Sequence, residues 1–599
     1  MNILGISCFF HDAAAALVRN GVLIAAAEEE RFTRKKHDYE FPINAIRFVL
    51  EHGAMRAADV DYVVFFEKPF VKFERILLTV LQTYPRSADV FRKAMLAWMR
   101  DKLWIKNLIV TNVGVPADRI LFSEHHLSHA ASAFYCSPFD SAALLTVDGV
   151  GEWATATFGI GRGTELSLLK EIRFPHSLGL LCSAFTAFLG FEVNEGEYKV
   201  MGMAPYGQPR YREDVEKLIR VERDGSFWLN MDYFSFHYSS QRTFTRRFVD
   251  LFGPPRDPNL HFFTRSSGYP AYFGERPANY DALARLNEHY ADVAASIQVV
   301  TEEALLNMAR ALHRETGLSQ LCLAGGVALN SVANGRLLRE TPFRDIYIQP
   351  AAGDAGGAVG AALYAYHAIL GKPRQFVMDH AAWGAAHPPG DIRAFLTHEA
   401  IPFEAIDDED RLLDRVAETI AAGKVVGWFH GRFEWGPRAL GQRSILADPR
   451  RPEMKDVVNT KIKFREPYRP LAPSVLAESA DRFFELPDPA QHYPGRFMLY
   501  VVDVKPDQAP RVPAITHVDG TARPQAVFRD ANPRYYELIS RFGRATGVPV
   551  LLNTSFNLRG EPIVASPRDA WSSFIKSEMD VLVLENFLVE REKVLRGRG

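Results

Sequence analysis

The sequence predicts an α/β protein, with a duplicated N-terminal α/β domain that holds a cleft between its halves and a second α/β domain behind it. Three observations carry this. A strand–acidic turn–hairpin pattern occurs twice, in residues 2–30 around His11-Asp12 and in residues 142–171 around Asp148-Gly149. A strand–glycine turn–helix pattern also occurs twice, at Gly325-Gly326 and at Gly353-Asp354-Ala355-Gly356-Gly357. Beyond residue 400 the alternation of helix and strand begins afresh, with a helix over 410–422 and a strand over 425–429. Repeated units of this kind form layers that bury a core, and 599 residues exceed what one core holds. Identity between the two N-terminal copies is negligible, so the duplication rests on pattern alone.

In chain order, residues 3–6 and 13–18 read as apolar strands, and Arg19-Asn20-Gly21 as a hairpin turn into a third strand over 22–27. The acidic-then-basic run 28–37 reads as a solvated loop, with anion binding as the sharper alternative. A buried strand covers 60–66, and residues 70–120 are helical and amphipathic, with Trp98 and Trp104 expected in the core. Ser123 is placed to cap a helix that starts at His125. Strands follow over 142–147, 153–160 and 166–171. Residues 194–207 hold too many glycines and charges for a simple strand or helix, so an ordered binding loop is expected. The aromatic, polar stretch 208–290 lacks clear periodicity and is expected to be an insertion over the cleft. Helices follow the two glycine turns, over 327–338 and from 358, and the tract 355–370 is short and rich in Gly and Ala, as for a close-packed buried helix. Domains are expected at 1–375 and 401–599, with a linker over 376–400.

Composition narrows the function classes. Hydrophobic residues make up 47% and charged residues 24%, as in an ordinary globular protein. A formal net charge of −2 argues against bulk attraction to nucleic acid or anionic membrane. The four cysteines, Cys8, Cys136, Cys182 and Cys322, lie scattered in apolar sequence, which suits reduced core residues. With no basic leader at the N-terminus, a cytoplasmic protein is expected.

The chemistry concentrates in two places. In His125-His126-Leu127-Ser128-His129, the first and last histidines share one helix face, so both can reach one metal ion; two hydrogen-bonded core histidines are the plain alternative. Asp354 sits on a glycine turn, where a helix cap is the commonest role. Between positions 430 and 470 stand ten Lys or Arg against five acids, interleaved with Pro, Gly and aromatic residues, which suits a pocket for a multiply charged small anion. His517-Val518-Asp519-Gly520-Thr521-Ala522-Arg523 and Asn553-Thr554-Ser555-Phe556-Asn557 add polar groups at strand ends, as a nucleotide pocket uses.

Taken in order, Phe10-His11-Asp12-Ala13, residues 28–37, the histidine stretch, 195–207, 325–330, 353–357, 436–443, 461–470, 517–523 and 553–557 resemble the O-carbamoyltransferases of the nodulation-factor and antibiotic-tailoring type. That family joins a Kae1-like domain of the actin/sugar-kinase/Hsp70 superfamily to a YrdC-like domain. The resemblance spans essentially the whole chain and is weakest over 208–290. It implies that the C-terminal domain makes carbamoyl-adenylate from carbamoyl phosphate and ATP with Mg²⁺, and that a hydroxyl of a small natural product takes the carbamoyl group in the N-terminal cleft. His125, His129, Asp148 and Asp354 match the family's metal ligands, with Fe²⁺ expected and Mn²⁺ or Zn²⁺ also fitting such donors. His11 matches the base that deprotonates the acceptor. Asp12, Lys36, Glu197, Lys199, Gly202, Gly325, Gly326, Asn330 and Gly353 are expected around the adenylate. Arg438, Lys463 and Arg469 match basic positions around ATP and carbamoyl phosphate, joined by motif membership by Arg443, Arg465, His517, Arg523, Asn553 and Ser555. The expected partner is a small-molecule alcohol, with neither nucleic acid nor membrane; a homodimer is compatible with the sequence. Two rivals are a fused threonylcarbamoyl-adenylate enzyme acting on transfer RNA, which needs a basic footprint, and a non-catalytic nucleotide-binding regulator. A metalloprotease is excluded by the missing Glu of His-Glu-x-x-His.

Overall fold

The computed structural model describes residues 1–100, 102–486 and 488–596. Two compact units emerge: Met1–Ile24 with Tyr39–Val377, and Ala25–Asp38 with Met378–Gly599. The expected contiguous first domain is therefore interrupted, because residues 25–38 belong with the second unit.

The first unit holds two five-stranded sheets. Strands β1 (Asn2–Ser7), β2 (Ala14–Arg19), β3 (Val22–Glu28), β4 (Tyr62–Phe65) and β5 (Ile120–Phe122) line up as β3-β2-β1-β4-β5. Asn20 and Gly21 take φ of 51° and 82°, the left-handed pair that closes a tight hairpin with the right twist. Strands β6 (Ser141–Val147), β7 (Ala154–Arg162) and β8 (Glu165–Arg173) are followed by a small hairpin of β9 (Ile219–Val221) and β10 (Phe227–Leu229), then by β11 (Gln320–Ala324) and β12 (Asp345–Tyr347). The second sheet runs β12-β11-β6-β7-β8. Each sheet thus has an antiparallel meander whose first strand pairs in parallel with a fourth strand, which pairs in parallel with a fifth. The duplication inferred from pattern is real in topology.

Two helices bring the sheets together. The helix Asp354–Tyr364 lies on β1 and β2 and also packs on the helix His125–Phe134. Gly360 permits that crossing: a Cβ there would lie 1.8 Å from the carbonyl oxygen of Ser128. This contact sets the start of one helix against the first turn of the other.

Several expectations change here. Residues 197–203 form a helix (Glu197–Met203) rather than a loop. Glu197 reaches back to the N–H of Asn194 at 3.0 Å, satisfying a donor at the helix start despite the local glycines. The stretch 208–290 packs aromatic residues on the helix Leu178–Phe188: Phe248 and Phe252 meet Phe185 and Phe188, and they are fully buried with Phe234. Trp98 is buried as expected, but Trp104 is 59% exposed, because it precedes the helix Ile105–Val113, whose Ile105, Ile109 and Val113 turn inward instead.

The second unit is built on an eight-stranded mixed sheet. Its strands are β13 (Glu404–Ala405), β14 (Val426–Phe429), β15 (Arg443–Ala447), β16 (Ala472–Leu476), β19 (Gln525–Val527), β20 (Val550–Ser555), β21 (Val581–Leu584) and β22 (Phe587–Glu590). They run in the order β13-β22-β21-β14-β15-β20-β16-β19, with β17 (Val502–Asp503) and β18 (Thr521–Ala522) as a separate pair. Helices Glu409–Ala421 and Pro533–Thr546 cover it through Leu412, Val416, Ile420, Leu538 and Phe542, packed around Trp428. The expected linker contains a helix, Pro389–His398. Residues 28–31 are no solvated loop: Glu28 accepts from the N–H of Gly436 and Arg31 donates to its carbonyl, both at 2.7 Å and buried.

Candidate active site

His125 and His129 lie one turn apart at the start of their helix, with their Nε2 atoms 3.1 Å from each other. Asp148 follows the end of β6, and Asp354 opens its helix without acting as a side-chain cap, Gly353 being the residue at the cap position. Asp148 Oδ2 lies 3.1 Å from His125 Nε2 and 3.4 Å from His129 Nε2, and Asp354 Oδ1 lies 3.6 and 3.5 Å from the same two nitrogens. All four residues are buried, and their donor atoms lie within 4.8 Å of one another. Four ligands about 2.05 Å from one ion at tetrahedral angles stand roughly 3.3 Å apart, so this quartet has the dimensions of a coordination shell. Without a cation, two imidazole nitrogens face each other and two carboxylates in a dry interior; imidazole and carboxylate together suit a borderline divalent ion. Burial opposes charge on His125, but Asp354, Asp148 and Glu67 outweigh it and raise its pKa to about 10, while His125 and His129 hold Asp148 well below the carboxylate range against the effect of its burial.

His126 is not part of this set. Its Nε2 donates to the carbonyl of Ala154 at 2.9 Å and its Nδ1 accepts from the Thr146 hydroxyl at 2.7 Å. Burial, with His125 and His129 nearby, lowers its pKa to about 3, so it is a neutral packing residue.

Sequence reading missed the groups that hold the quartet. Ser123 does not cap the helix; the Glu152 carboxylate accepts from the N–H of His125 at 3.1 and 3.2 Å, and from the N–H of Lys68 at 2.8 Å. Glu67, two residues beyond the end of β4, lies 3.5 Å from His125 Nδ1 and 2.6 Å from the Lys72 ammonium. A carboxylate behind a ligating imidazole fixes its tautomer and orientation. Only an acidic residue at a strand end could have signalled it.

The glycine turns reach the same place. Gly326 donates its N–H to Asp148 Oδ1 at 2.9 Å. Gly325, at φ 94°, passes so close to Val147 that a Cβ would sit 2.3 Å from its carbonyl oxygen. Asn330, by contrast, caps the helix Ser331–Glu340 and exchanges hydrogen bonds with Gln298. Glu197 accepts from Ser183 as well as from Asn194, Lys199 lies over the Phe191 ring at 5.7 Å, and Gly202 is buried in its helix. His11 Nδ1 pairs with Asp12 at 2.7 Å and its Nε2 faces the carbonyl of Asn194 at 3.0 Å. Burial lowers its pKa, Asp12 raises it more, and the balance is about 10. Both nitrogens therefore donate here, and a base role requires the Asn194 contact to open.

In the second unit, Lys463 is buried and donates to the carbonyl of Ser555 (2.6 Å), its hydroxyl (3.0 Å) and Asn557 Oδ1 (2.6 Å). Burial first, then Arg465, Arg469 and Lys36, push its pKa well below the ordinary lysine value. Arg523 is lowered likewise by burial and by Arg438, Arg465 and Arg469, and its Nε meets no acceptor. Six cations thus lean on one another, Lys36 among them rather than in the first unit. Asn459, overlooked in the sequence, ties the loop by accepting from Arg465 Nε at 2.7 Å and donating to the carbonyls of Pro467 and Arg469.

Not every expected member belongs to this cluster. Arg443 is fully buried, stacks on Phe429 at 3.5 Å, and donates to the carbonyls of His430, Gln442 and Gly431; those contacts make it a structural residue. Asn553 donates to the carbonyl of Ala439 and to Ser474 within the core. His517 bonds Thr521 at 3.1 Å, and burial drops its pKa to about 4. Glu434, another residue the sequence did not single out, accepts from the N–H groups of Leu440, Gln442 and Arg443 and so shapes the turn that carries Arg438.

Comparison with known proteins gives two family-model matches: carbamoyltransferase N-terminus over residues 2–363, and carbamoyltransferase C-terminus over residues 417–591. An uncharacterised protein of Synechocystis sp. is 48% identical over 98% of this chain and 97% of its own. Nodulation protein NolNO of Sinorhizobium fredii is 38% identical over 97% of this chain and 79% of its own. The 3'-hydroxymethylcephem-O-carbamoyltransferase of Streptomyces clavuligerus is 32% identical over 50% of this chain and 54% of its own. No helix among the described residues is long and apolar enough to cross a membrane.

Proposed function

The chain belongs to the carbamoyltransferase family, and we propose on that premise that it is an ATP-dependent O-carbamoyltransferase acting on a hydroxyl of a small natural product. The family and the name of the cephem relative support carbamoyl transfer to oxygen. The observation that carries the ATP-dependent half is the cationic cluster of the second unit. Lys463, Arg438, Arg465, Arg469, Arg523 and Lys36 repel one another, and burial makes that worse. A polyanion offsets this cost, and ATP with carbamoyl phosphate is such a polyanion. In this reading the YrdC-like second unit lets one water cleave carbamoyl phosphate to carbamate and phosphate, and a carbamate oxygen then attacks the α-phosphorus of ATP, giving carbamoyl-adenylate and pyrophosphate. Arriving phosphate oxygens take donors that Lys463 now gives to Ser555 and Asn557.

The Kae1-like first unit then uses the adenylate. His125, His129, Asp148 and Asp354 would hold a divalent ion, Fe²⁺ by family expectation, which would supply Lewis acidity at the transfer site. His11, oriented by Asp12, takes the proton of the acceptor hydroxyl at Nε2 once that nitrogen has left the Asn194 carbonyl and given up its own proton. The hydroxyl oxygen bonds the carbamoyl carbon, the anhydride bond breaks, and AMP leaves. Closing water out protects an intermediate that hydrolyses readily.

The test measures pyrophosphate release that depends on carbamoyl phosphate, alongside carbamoylated product from an extract containing the acceptor. Lys463→Met is expected to abolish both. His11→Asn is expected to keep pyrophosphate release and lose product. Product formation by His11→Asn at the normal rate overturns the base assignment, and release independent of carbamoyl phosphate overturns the first step.

A further inference from the structure

The helix Pro69–Thr83 carries Lys72 and, one turn on, Arg75. Lys72 is accounted for by Glu67. Arg75 is not. It is 7% exposed, its Nε meets no hydrogen-bond acceptor, and no carboxylate lies within 4.0 Å of its guanidinium among the described residues. The nearest acids, Glu67 and Glu152, are already taken by the Lys72 ammonium and by the N–H groups of Lys68 and His125. What Arg75 does touch is a ring: its guanidinium lies 5.0 Å from the centroid of Phe174, just past the end of β8. Phe174 in turn meets Phe236 edge-on at 6.4 Å, from the 208–290 stretch.

The Nε is buried without an acceptor, and one aromatic face offsets only part of that cost, about 2 kcal/mol at best. Phe174 covers one face of the group and leaves its in-plane fork of N–H donors unspent. Such a fork matches the two oxygens of a carboxylate or phosphate. Its place is informative too. Arg75 is one turn from Lys72, whose partner Glu67 backs His125, and Phe236 belongs to the stretch least like the family pattern. A group that holds a particular acceptor would be expected among such residues.

We propose that Arg75, faced by Phe174, is an oxyanion-binding subsite for the acceptor, so that the alcohol carbamoylated by this protein bears a carboxylate or phosphate. This rests on the reading of the first unit as the transfer site. Burial, against the pull of Glu67 and Glu152, lowers the pKa of Arg75 to about 10, so the group stays cationic at neutral pH.

Binding of three probes to the full chain tests it: 3-(hydroxymethyl)benzoate, 3-(hydroxymethyl)phenyl phosphate and 3-(hydroxymethyl)benzamide, followed by saturation-transfer NMR and titration calorimetry. The wild-type chain is expected to bind at least one anionic probe about tenfold or more tighter than the amide, and the two anions together decide between carboxylate and phosphate. Arg75→Met is expected to erase that preference, and Arg75→Lys to keep part of it by charge without the fork. The cationic cluster of the second unit is intact in both variants, so a preference lost with Arg75 belongs to Arg75. Equal or absent binding of acid and amide by the wild-type chain, or a preference that survives Arg75→Met, overturns the proposal. Pyrophosphate release is measured separately; its failure would strike the reaction, whereas these binding outcomes involve no turnover.

Discussion

Replacing Glu67 by Gln separates two roles that one carboxylate performs. It pairs with Lys72 at 2.6 Å, both side chains 5% exposed or less, and it faces His125 Nδ1 at 3.5 Å. Burial raises its pKa, but Lys72 and His125 prevail and bring it down to about 2. Removing the charge leaves the Lys72 ammonium buried without a counter-ion, which costs about 3–5 kcal/mol. It also weakens the hold on the His125 ring, which for a group behind a metal ligand reduces metal affinity roughly 10–100-fold. The second change, Lys72→Met, removes the stranded ammonium. In urea unfolding of the apo chain, Glu67→Gln/Lys72→Met is therefore expected to recover most of the lost stability. Titration with Zn²⁺ or Fe²⁺ is expected to show the double variant binding as weakly as Glu67→Gln alone. The cycle reads the coupling directly, because the two residues touch. Recovery of metal affinity together with stability would mean that Glu67 acts on Lys72 only, and a loss under about 1 kcal/mol for Glu67→Gln would refute the buried pair as a stabilising element.

Other perturbations follow from the same structure. Arg443→Met strands several buried carbonyls and is expected to cost about 3 kcal/mol or more in denaturant unfolding, whereas Arg523→Met relieves repulsion, keeps or raises stability, and cuts pyrophosphate release by about 100-fold or more. Equal destabilisation by the two would undo the distinction between a structural and a ligand-facing arginine. Glu585, bound to His430, the N–H of Gly431 and Arg534, has its pKa brought down to about 2 despite burial. Its roughly 3 kcal/mol of stabilisation is complete above about pH 4.5 and lost as the pH falls to about 2, so the wild-type advantage over Glu585→Gln should vanish across that window. Gly360→Ala pushes against the Ser128 carbonyl, and a cost of about 1–3 kcal/mol with weakened metal binding is expected; unchanged metal affinity would show that the helix crossing does not set the quartet.

The histidine pair was legible because it is local. Residues four apart on a helix share a face whatever surrounds them, and the carboxylates at 148 and 354 stood beside turn glycines that mark strand ends. The repeated strand–turn patterns likewise announced two sheets of one topology. The Glu197–Met203 helix was not legible, since its glycines and charges mimic a loop until Glu197 is seen bonding back to Asn194. Nor could the basic stretch be sorted in advance: Arg443 and Arg523 look alike in composition, yet one spends its donors on carbonyls and the other faces like charges.

What the sequence determined by itself was therefore chemistry within a turn or a strand end: which residues can ligate, which glycines allow close approach, where cations accumulate. The tertiary structure decided which of those groups meet. Asp148 and Asp354 reach the histidines only because β6 pairs with β11 and because Gly360 lets two helices touch. Glu67 and Glu152 become supports, and Arg75 an unspent donor, only once burial removes water as their alternative partner. Hydrogen-bonding capacity is written residue by residue, but whether it is met depends on neighbours far along the chain, and the low-dielectric interior makes that difference costly.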